Sequence, residues 1–489
     1  MTTTVLELIR GNARQRPTHP ALISDQGGNA SQTLDYSDLV AHMAASAERL
    51  SQCGVESGQR CGLVAPQGAG FIESALGIMA AGACLVPIPT GHSDSALEEF
   101  AERAHLHHLA LSSPEDENLE LRSFSDVSAV DGQGDAQFRA LKPAYLRFTS
   151  GTTHRRKGVI IGHDAILARL AAANRALEIG SEDRIVWLLP MAHHFVVSIL
   201  LYLRFGATVL LPSSSMANDV LSLANREAAT VLYASPYHYN LLAKDKGSLQ
   251  LDRVRLAVST AEGLRADVAE RFRARFGLSV RQALGIIEVG LPVVDRDGRG
   301  KPGALGRPLP DYEVWLRGES GAPTPDPTSP ERSGEICIRG PGLFDAYLDP
   351  WTLASEILQP DGFRTGDQGW FDADGDLHLA GRRTSRINMA GMKFFGEEVE
   401  AVLDAHPEVR RSRVFAREHS HLGEIPVAEI EVQRASHPPD RGTLTRFCRQ
   451  KLPAYKIPRE FRIVDALPLT ATGKLERRLG QDTLRGRGD

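Results

Sequence analysis

Residues 196–212 read VVSILLYLRFGATVLLP. The apolar length would suit a membrane span, but Arg204 lies inside the run and Gly206 interrupts it. A charged side chain at mid-bilayer costs about 2.5–3.5 kcal/mol even on insertion scales. The run therefore divides into a helix, Val196–Phe205, a glycine turn and a buried strand, Thr208–Leu211. Ser74–Pro89 divides the same way at Gly82, into a helix over 74–81 and a strand over 83–88. Asp267–Phe276 repeats the pattern: Val268 and Phe272 share a helical face at i, i+4, Gly277 ends the helix, and the strand Ser279–Ala283 comes next. Such units predict an α/β fold whose large N-terminal domain holds mostly parallel sheets flanked by helices.

The chain has 489 residues, 42% hydrophobic and 24% charged. That is ordinary for a globular protein of roughly two to four structural units, and it excludes disorder, collagen and coiled coil as the main architecture. Net charge is −5, which disfavours a nucleic-acid binder. Residues 385–489 nevertheless carry 19 basic against 15 acidic side chains. The five cysteines are Cys53, Cys61, Cys84, Cys337 and Cys448, with no CxxC spacing. They argue for a reducing compartment and against disulfides or structural zinc. The N-terminus MTTTVLELIRGNARQ lacks the apolar core of a signal peptide. A cytoplasmic protein that neither spans nor sits on a membrane is expected.

GESGAPTPDPTSPE, between Arg317 and Arg332, predicts a surface loop within a β-rich subdomain, leading into the strand Glu335–Arg339. Asp372–Asp376 reads DADGD; it begins like a calcium loop but lacks the later glycine and glutamate, so a hairpin turn is expected. A boundary near Arg382–Arg386 separates residues 1–383 from a small second domain of α+β character, 384–489, in which the helix Gly396–Leu403 comes first.

Three segments carry chemistry. Phe148-Thr149-Ser150-Gly151-Thr152-Thr153-His154-Arg155-Arg156-Lys157-Gly158-Val159 sets four hydroxyls around a glycine and adds a lysine, between the strands Ala144–Phe148 and Val159–Ile161. Hydroxyls and backbone N–H groups donate to phosphate oxygens, glycine permits close approach, and lysine supplies a point charge. The spacing is not that of a Walker A loop. Gly362-Phe363-Arg364-Thr365-Gly366-Asp367, with Gly381-Arg382-Arg383 beyond it, offers a carboxylate and a guanidinium for vicinal ribose hydroxyls. Near the C-terminus, Pro468-Leu469-Thr470-Ala471-Thr472-Gly473-Lys474 presents a lysine on a Thr-Gly turn. Singly, the last two are also ordinary turns.

In this order and spacing the three resemble the core motifs of the adenylate-forming superfamily, which includes acyl- and aryl-CoA ligases, peptide-synthetase adenylation domains and firefly luciferase. LDYSDL (Leu34–Leu39), STAEGL (Ser259–Leu264), GIIE (Gly285–Glu288) and INMAGMKFFGEEV (Ile387–Val399) extend the resemblance over nearly the whole chain. It implies an ATP-dependent, AMP-forming acid–thiol ligase that uses Mg²⁺. Thr149, Ser150, Gly151, Thr152, Thr153 and Lys157 would hold the β- and γ-phosphates, and Glu288 the metal. Asp367 and Arg382 would hold the ribose, and the segments around Glu262 and Gly285 would line the adenine pocket. Lys474 would act on the reacting carboxylate and α-phosphate. Thr384 would be the hinge, and Gly391 would leave room for the pantetheine arm of CoA.

His193, in Pro190-Met191-Ala192-His193-His194-Phe195, would wall the acyl pocket together with Gly285. Peptide-synthetase domains usually carry an aspartate in this stretch for an α-amino group; none is present, which disfavours an amino acid. STAEGL resembles aryl-CoA ligases, pointing to an aromatic or cyclic acid. No carrier domain comes after Lys474, so the expected acceptor is CoA or a free-standing carrier protein. The chain departs from the family at His154 and Arg156 in the phosphate loop, at Leu284 where an aromatic residue is usual, and at Ile287 where threonine is usual. These departures leave two narrower readings open: a ligase restricted to one half-reaction, and a non-catalytic adenylate or CoA binder.

Overall fold

The structure is a computed structural model. It describes all residues except 1–3, 28–29, 114–115, 125–133, 149–156, 302, 319, 325–327, 330–331, 359–361, 383–384, 391, 434–437, 470–474 and 476–489. The chain forms two compact units, one built from residues 1–151, 155–314 and 338–363, the other from 152–154, 315–337 and 364–489.

The first unit contains two sheets. Along one, the order is Pro20–Gly27, Thr208–Leu211, Arg184–Trp187, Val231–Ala234, Leu256–Ser259 and Val280–Ile286, with each adjacent pair parallel. Antiparallel strands flank this run: Ala30–Asp35 beside the first and, beside the last, Gly290–Val294, which in turn pairs antiparallel with Ala304–Pro308. The other is eight-stranded, with a parallel centre of His108–Ser113, Arg60–Val64, Cys84–Ile88 and Pro143–Phe148, after which Gly158–Gly162 pairs antiparallel. Both runs that were split at a glycine behave as expected. Ala69–Ala80 is a helix and Cys84–Ile88 a buried strand, with Gly82 at φ 81° between them. Thr208–Leu211 is a buried strand after Gly206 at φ 78°. Among the described residues, no helix is long and apolar enough to cross a membrane.

The helix before Gly206 is irregular. Met191–His194 is one α-helical turn, Phe195–Ile199 is π-helical, and Leu200–Arg204 returns to α. Single π turns concentrate at functional sites because they re-aim side chains without ending the helix. Helix Ala266–Phe276 ends at Gly277 in the left-handed conformation, φ 70°. It packs Val268 and Phe272 against Tyr239, Leu242 and Val280.

In the second unit, residues 367–371 pair antiparallel with Leu377–Arg382. The connection is a hairpin turn, as expected, in which Asp372 N–H donates to Asp376 O at 3.0 Å and Gly375 N–H to Asp372 O at 2.9 Å. A five-stranded sheet lies beyond it in the chain. Its long hairpin, Val409–His419 with Gly423–Val432, is flanked by helices Gly396–Leu403 and Arg441–Arg449 around a core of Ile387, Phe394, Val399, Val414 and Leu444. The mostly parallel first unit and the α+β character of residues 384 onward agree with the expected fold class.

Phe272 is fully buried, edge-on to Tyr239 at 5.0 Å and 4.9 Å from Phe276. Phe272→Ala should cost about 3–5 kcal/mol in urea unfolding, through lost transfer energy and the cavity left behind.

Candidate active site

The site in the first unit centres on Glu288. Strand Val280–Ile286 turns tightly into Gly290–Val294, with Val289 N–H donating to Ile286 O at 3.0 Å. Gly290 has φ 106°, a conformation that disfavours any residue with a Cβ. The turn holds Glu288 by its backbone, since Phe344 N–H donates to Glu288 O at 2.7 Å. Its carboxylate accepts from the Tyr347 hydroxyl at 3.2 Å. Over the Tyr347 ring sits the Lys157 ammonium, 4.4 Å from the centroid. The lysine that closes the hydroxyl-rich loop is thereby placed beside the acid expected to bind metal. Phe148 and Gly158 pair antiparallel, so the segment between them leaves and re-enters neighbouring strands.

Arg169, 1% exposed on helix His163–Leu177, braces the same turn. Its Nη1 donates to Ile287 O at 2.9 Å and its Nε to Gly342 O at 2.9 Å. Gly342 is required there, because a Cβ would lie 2.5 Å from Ala165 O and 2.6 Å from Arg169 N. Burial drives the Arg169 pKa down to about 10. Burial also raises the Glu288 pKa above the usual glutamate range, against the opposing pull of the Tyr347 hydrogen bond and of the Arg147 and Arg169 charges.

Ser259–Leu264 forms the adjoining edge. Thr260 Oγ1 donates to Ala283 O at 3.1 Å, and Gln282 Oε1 accepts from Leu264 N–H at 2.8 Å, which fixes the segment to strand Val280–Ile286. Ala261 is held at φ 79°, a conformation uncommon outside glycine. Glu262 is exposed. Gly285 is exposed, and a Cβ there would approach nothing nearer than Thr260 Oγ1 at 3.6 Å, so the surface above it is open. Around His193, Tyr145 O–H donates to Ala192 O at 3.5 Å and Arg147 Nη1 to His193 O. Trp187 stacks on Tyr233 at 5.8 Å and meets His194 and Tyr202 edge-on.

In the second unit, Asp367 and Arg382 are cross-strand partners, with Oδ1 and Nε 2.9 Å apart. Asp367 N–H donates to Thr365 Oγ1 at 3.0 Å, which orients the carboxylate. Of the other predicted residues, Thr149, Ser150, Gly151, Thr152, Thr153, Thr384, Gly391 and Lys474, with the departures His154 and Arg156, lie outside the described residues.

The structure thus gathers Lys157, Glu288, Gly285, His193 and the Glu262 segment in one unit and pairs Asp367 with Arg382 in the other. Tyr347, Arg169 and Arg147 belong to the site but were not anticipated. For Arg147 a signal existed: it is a cation at an alternating position of an otherwise apolar strand, PAYLRF. Mg²⁺ favours one or two carboxylates, with phosphates and waters completing its shell. A single enclosed carboxylate with a hydroxyl beside it and an ammonium nearby fits that role.

Fold and site together are those of an adenylate-forming α/β enzyme. The chain belongs to the AMP-binding enzyme family, whose profile matches residues 9–348, and the AMP-binding enzyme C-terminal domain profile matches 398–474. It is 28% identical to the sulfoacetate–CoA ligase of Cupriavidus necator over 97% of this chain and 96% of that protein. It is 27% identical to the oxalate–CoA ligase of Arabidopsis thaliana over 89% and 90%. Some curated relatives are longer, and the chain spans 18% of one and 46% of another. ATP-bound MatB from Rhodopseudomonas palustris has the same fold, with a TM-score of 0.83, 23% identity, and 99% and 98% of the two chains covered.

Because the Glu288 pKa is raised in the folded protein, the folded state binds a proton that the unfolded state has released, and stability falls as pH rises above the ordinary glutamate value. Glu288→Gln should therefore melt above wild type at pH 8 without magnesium or nucleotide. The difference should shrink as pH falls toward 4.5, the glutamate reference.

Proposed function

We propose that this chain joins a small carboxylic acid to CoA, driven by cleavage of ATP to AMP and pyrophosphate. The observation that carries the proposal is the enclosed Glu288 carboxylate with the Lys157 ammonium beside its tyrosine partner, at the return of a hydroxyl-rich loop. A carboxylate oxygen of the acid attacks the α-phosphorus of ATP, the bond to the bridging β-oxygen breaks, and pyrophosphate leaves. Bound at Glu288, Mg²⁺ would neutralise charge on the phosphates in transit. Lys157 and the Thr149–Thr153 donors steady the β- and γ-phosphates as they separate. Asp367 accepts from the ribose hydroxyls while Arg382 fixes its orientation. Lys474 meets the reacting carboxylate and α-phosphate, where negative charge gathers, so its work is electrostatic.

In the second half-reaction the part from Thr384 onward turns, Lys474 withdraws, and the Asn388–Lys393 loop approaches with Gly391 clearing the pantetheine path. The thiol sulfur attacks the adenylate carbonyl, its proton passes to solvent and AMP leaves. CoA is the acceptor; a free-standing carrier protein is the second thiol to test. Acids named for two relatives, sulfoacetate and oxalate, are small, which favours a compact pocket. Aromatic and cyclic acids form the other arm of a substrate panel.

The direct test is exchange of radiolabelled pyrophosphate into ATP across that panel, repeated with CoA and mass spectrometry for the thioester. Lys474→Ala should lower exchange about 10²–10³-fold while the protein stays folded; unchanged exchange would refute the role. Asp367→Ala should raise KM for ATP about tenfold or more, as expected for a lost charged hydrogen bond. It should also abolish any wild-type preference for ATP over 2′-deoxy-ATP. A Gly391→Trp protein should retain exchange but lose thioester formation.

A further inference from the structure

We propose that Arg147 recognises a second anionic group on the acid, so that the enzyme's substrates carry a further carboxylate or sulfonate besides the one that is activated. The proposal rests on the ligase reading above and narrows its substrate class.

Strand Pro143–Phe148 alternates faces. Leu146 packs into the core of the eight-stranded sheet, with Phe148 against it, while Tyr145 and Arg147 share the opposite face and reach the turn Met191–His194. Arg147 therefore lies directly under the backbone of His193, the residue assigned to the acyl-pocket wall. Among the described residues, its one hydrogen-bond acceptor is His193 O, a neutral carbonyl that accepts one N–H of Nη1. Its Nε is sealed from solvent and makes no hydrogen bond. Among the described residues, no aspartate or glutamate forms a salt bridge with it.

A guanidinium has five N–H donors in a planar fork, and burying one without an anion or a full set of acceptors is unfavourable. Arg147 is half-buried with its Nε sealed, whereas two fully buried arginines are better answered. Arg169 directs Nε, Nη1 and Nη2 at two carbonyls, and Arg413 is paired with Glu429. Of these three, Arg147 is the one that keeps donors in reserve inside the site. Burial lowers its pKa, and the charge of Glu288 works against that shift, so Glu288 shares its surroundings. Were Mg²⁺ held at Glu288, its charge would offset that of the carboxylate, leaving less of it to balance Arg147.

The anion that completes Arg147 must then come with the ligands. The β- and γ-phosphates are assigned to Lys157 and the loop donors, and the reacting carboxylate to Lys474. What remains beside His193 is the far end of the acid. The guanidinium fork suits a carboxylate or sulfonate bidentately.

The experiment uses the full chain with Mg²⁺ and ATP, and measures pyrophosphate exchange with matched acids: malonate, succinate, sulfoacetate and phthalate against propionate, butyrate and benzoate. Wild type should favour a doubly anionic acid over its singly charged counterpart by about tenfold or more in kcat/KM. Arg147→Met should erase the preference by raising KM for the doubly anionic acid, with KM for ATP moving far less. Arg147→Lys should recover part of it. Wild-type preference for singly charged acids overturns the proposal, as does an Arg147→Met loss that falls on KM for ATP or equally on both acid classes. If Arg147→Met melts early, the wild-type panel decides alone. Absence of exchange with every acid overturns the ligase reading and this proposal together, whereas exchange confined to singly charged acids overturns this proposal only.

Discussion

One enclosed carboxylate organises the first unit. Glu288 is half-buried in a turn between two strands, where its neighbours are a tyrosine hydroxyl, a lysine lying on that tyrosine's ring and two arginines. Burying charge is unfavourable unless it is answered. Here the answer is incomplete in the free protein, and burial still holds the acid's pKa up. That arrangement supports the proposal that Glu288 holds Mg²⁺ together with the phosphates of ATP.

The scaffold uses other interactions to hold that carboxylate in place. Arg169, itself buried, turns its guanidinium on the carbonyls of Ile287 and Gly342 and so fixes the backbone beside the acid. Ile287 has no hydroxyl to offer a phosphate, but its carbonyl is part of this brace, so the position remains tied to the site through its main chain. The π-helical segment Phe195–Ile199 begins two residues after His193. An extra residue in that turn rotates the residues beyond it relative to a regular helix, and Trp187, Tyr202 and Tyr233 cluster together there. The surroundings of His193 are thus shaped by a backbone irregularity as well as by side chains.

Sequence made legible the features that are local. Glycines at 82, 206 and 277 separate apolar runs of different period, and each sits at positive φ between helix and strand. Asp367 and Arg382 were legible as a pair of ribose-binding candidates by residue type and spacing, and the structure pairs them, while the GIIE acid came only from the resemblance that the motifs carry. Less was legible where partners are distant. Tyr347 meets Glu288 across 59 positions and Arg169 meets Ile287 across 118; no periodicity encodes such pairs. The π turn and the strained Ala261 were hidden for a related reason. Both are conformations that local propensity disfavours and that tertiary packing imposes.

The central claim is that the acid's own oxygen attacks the α-phosphorus of ATP. It is tested most directly by supplying an acid labelled with heavy oxygen in its carboxylate, together with ATP, Mg²⁺ and CoA, and weighing the nucleotide product. The account predicts AMP carrying one labelled oxygen, alongside unlabelled pyrophosphate and the thioester. ADP with label in inorganic phosphate, or AMP free of label, would contradict it.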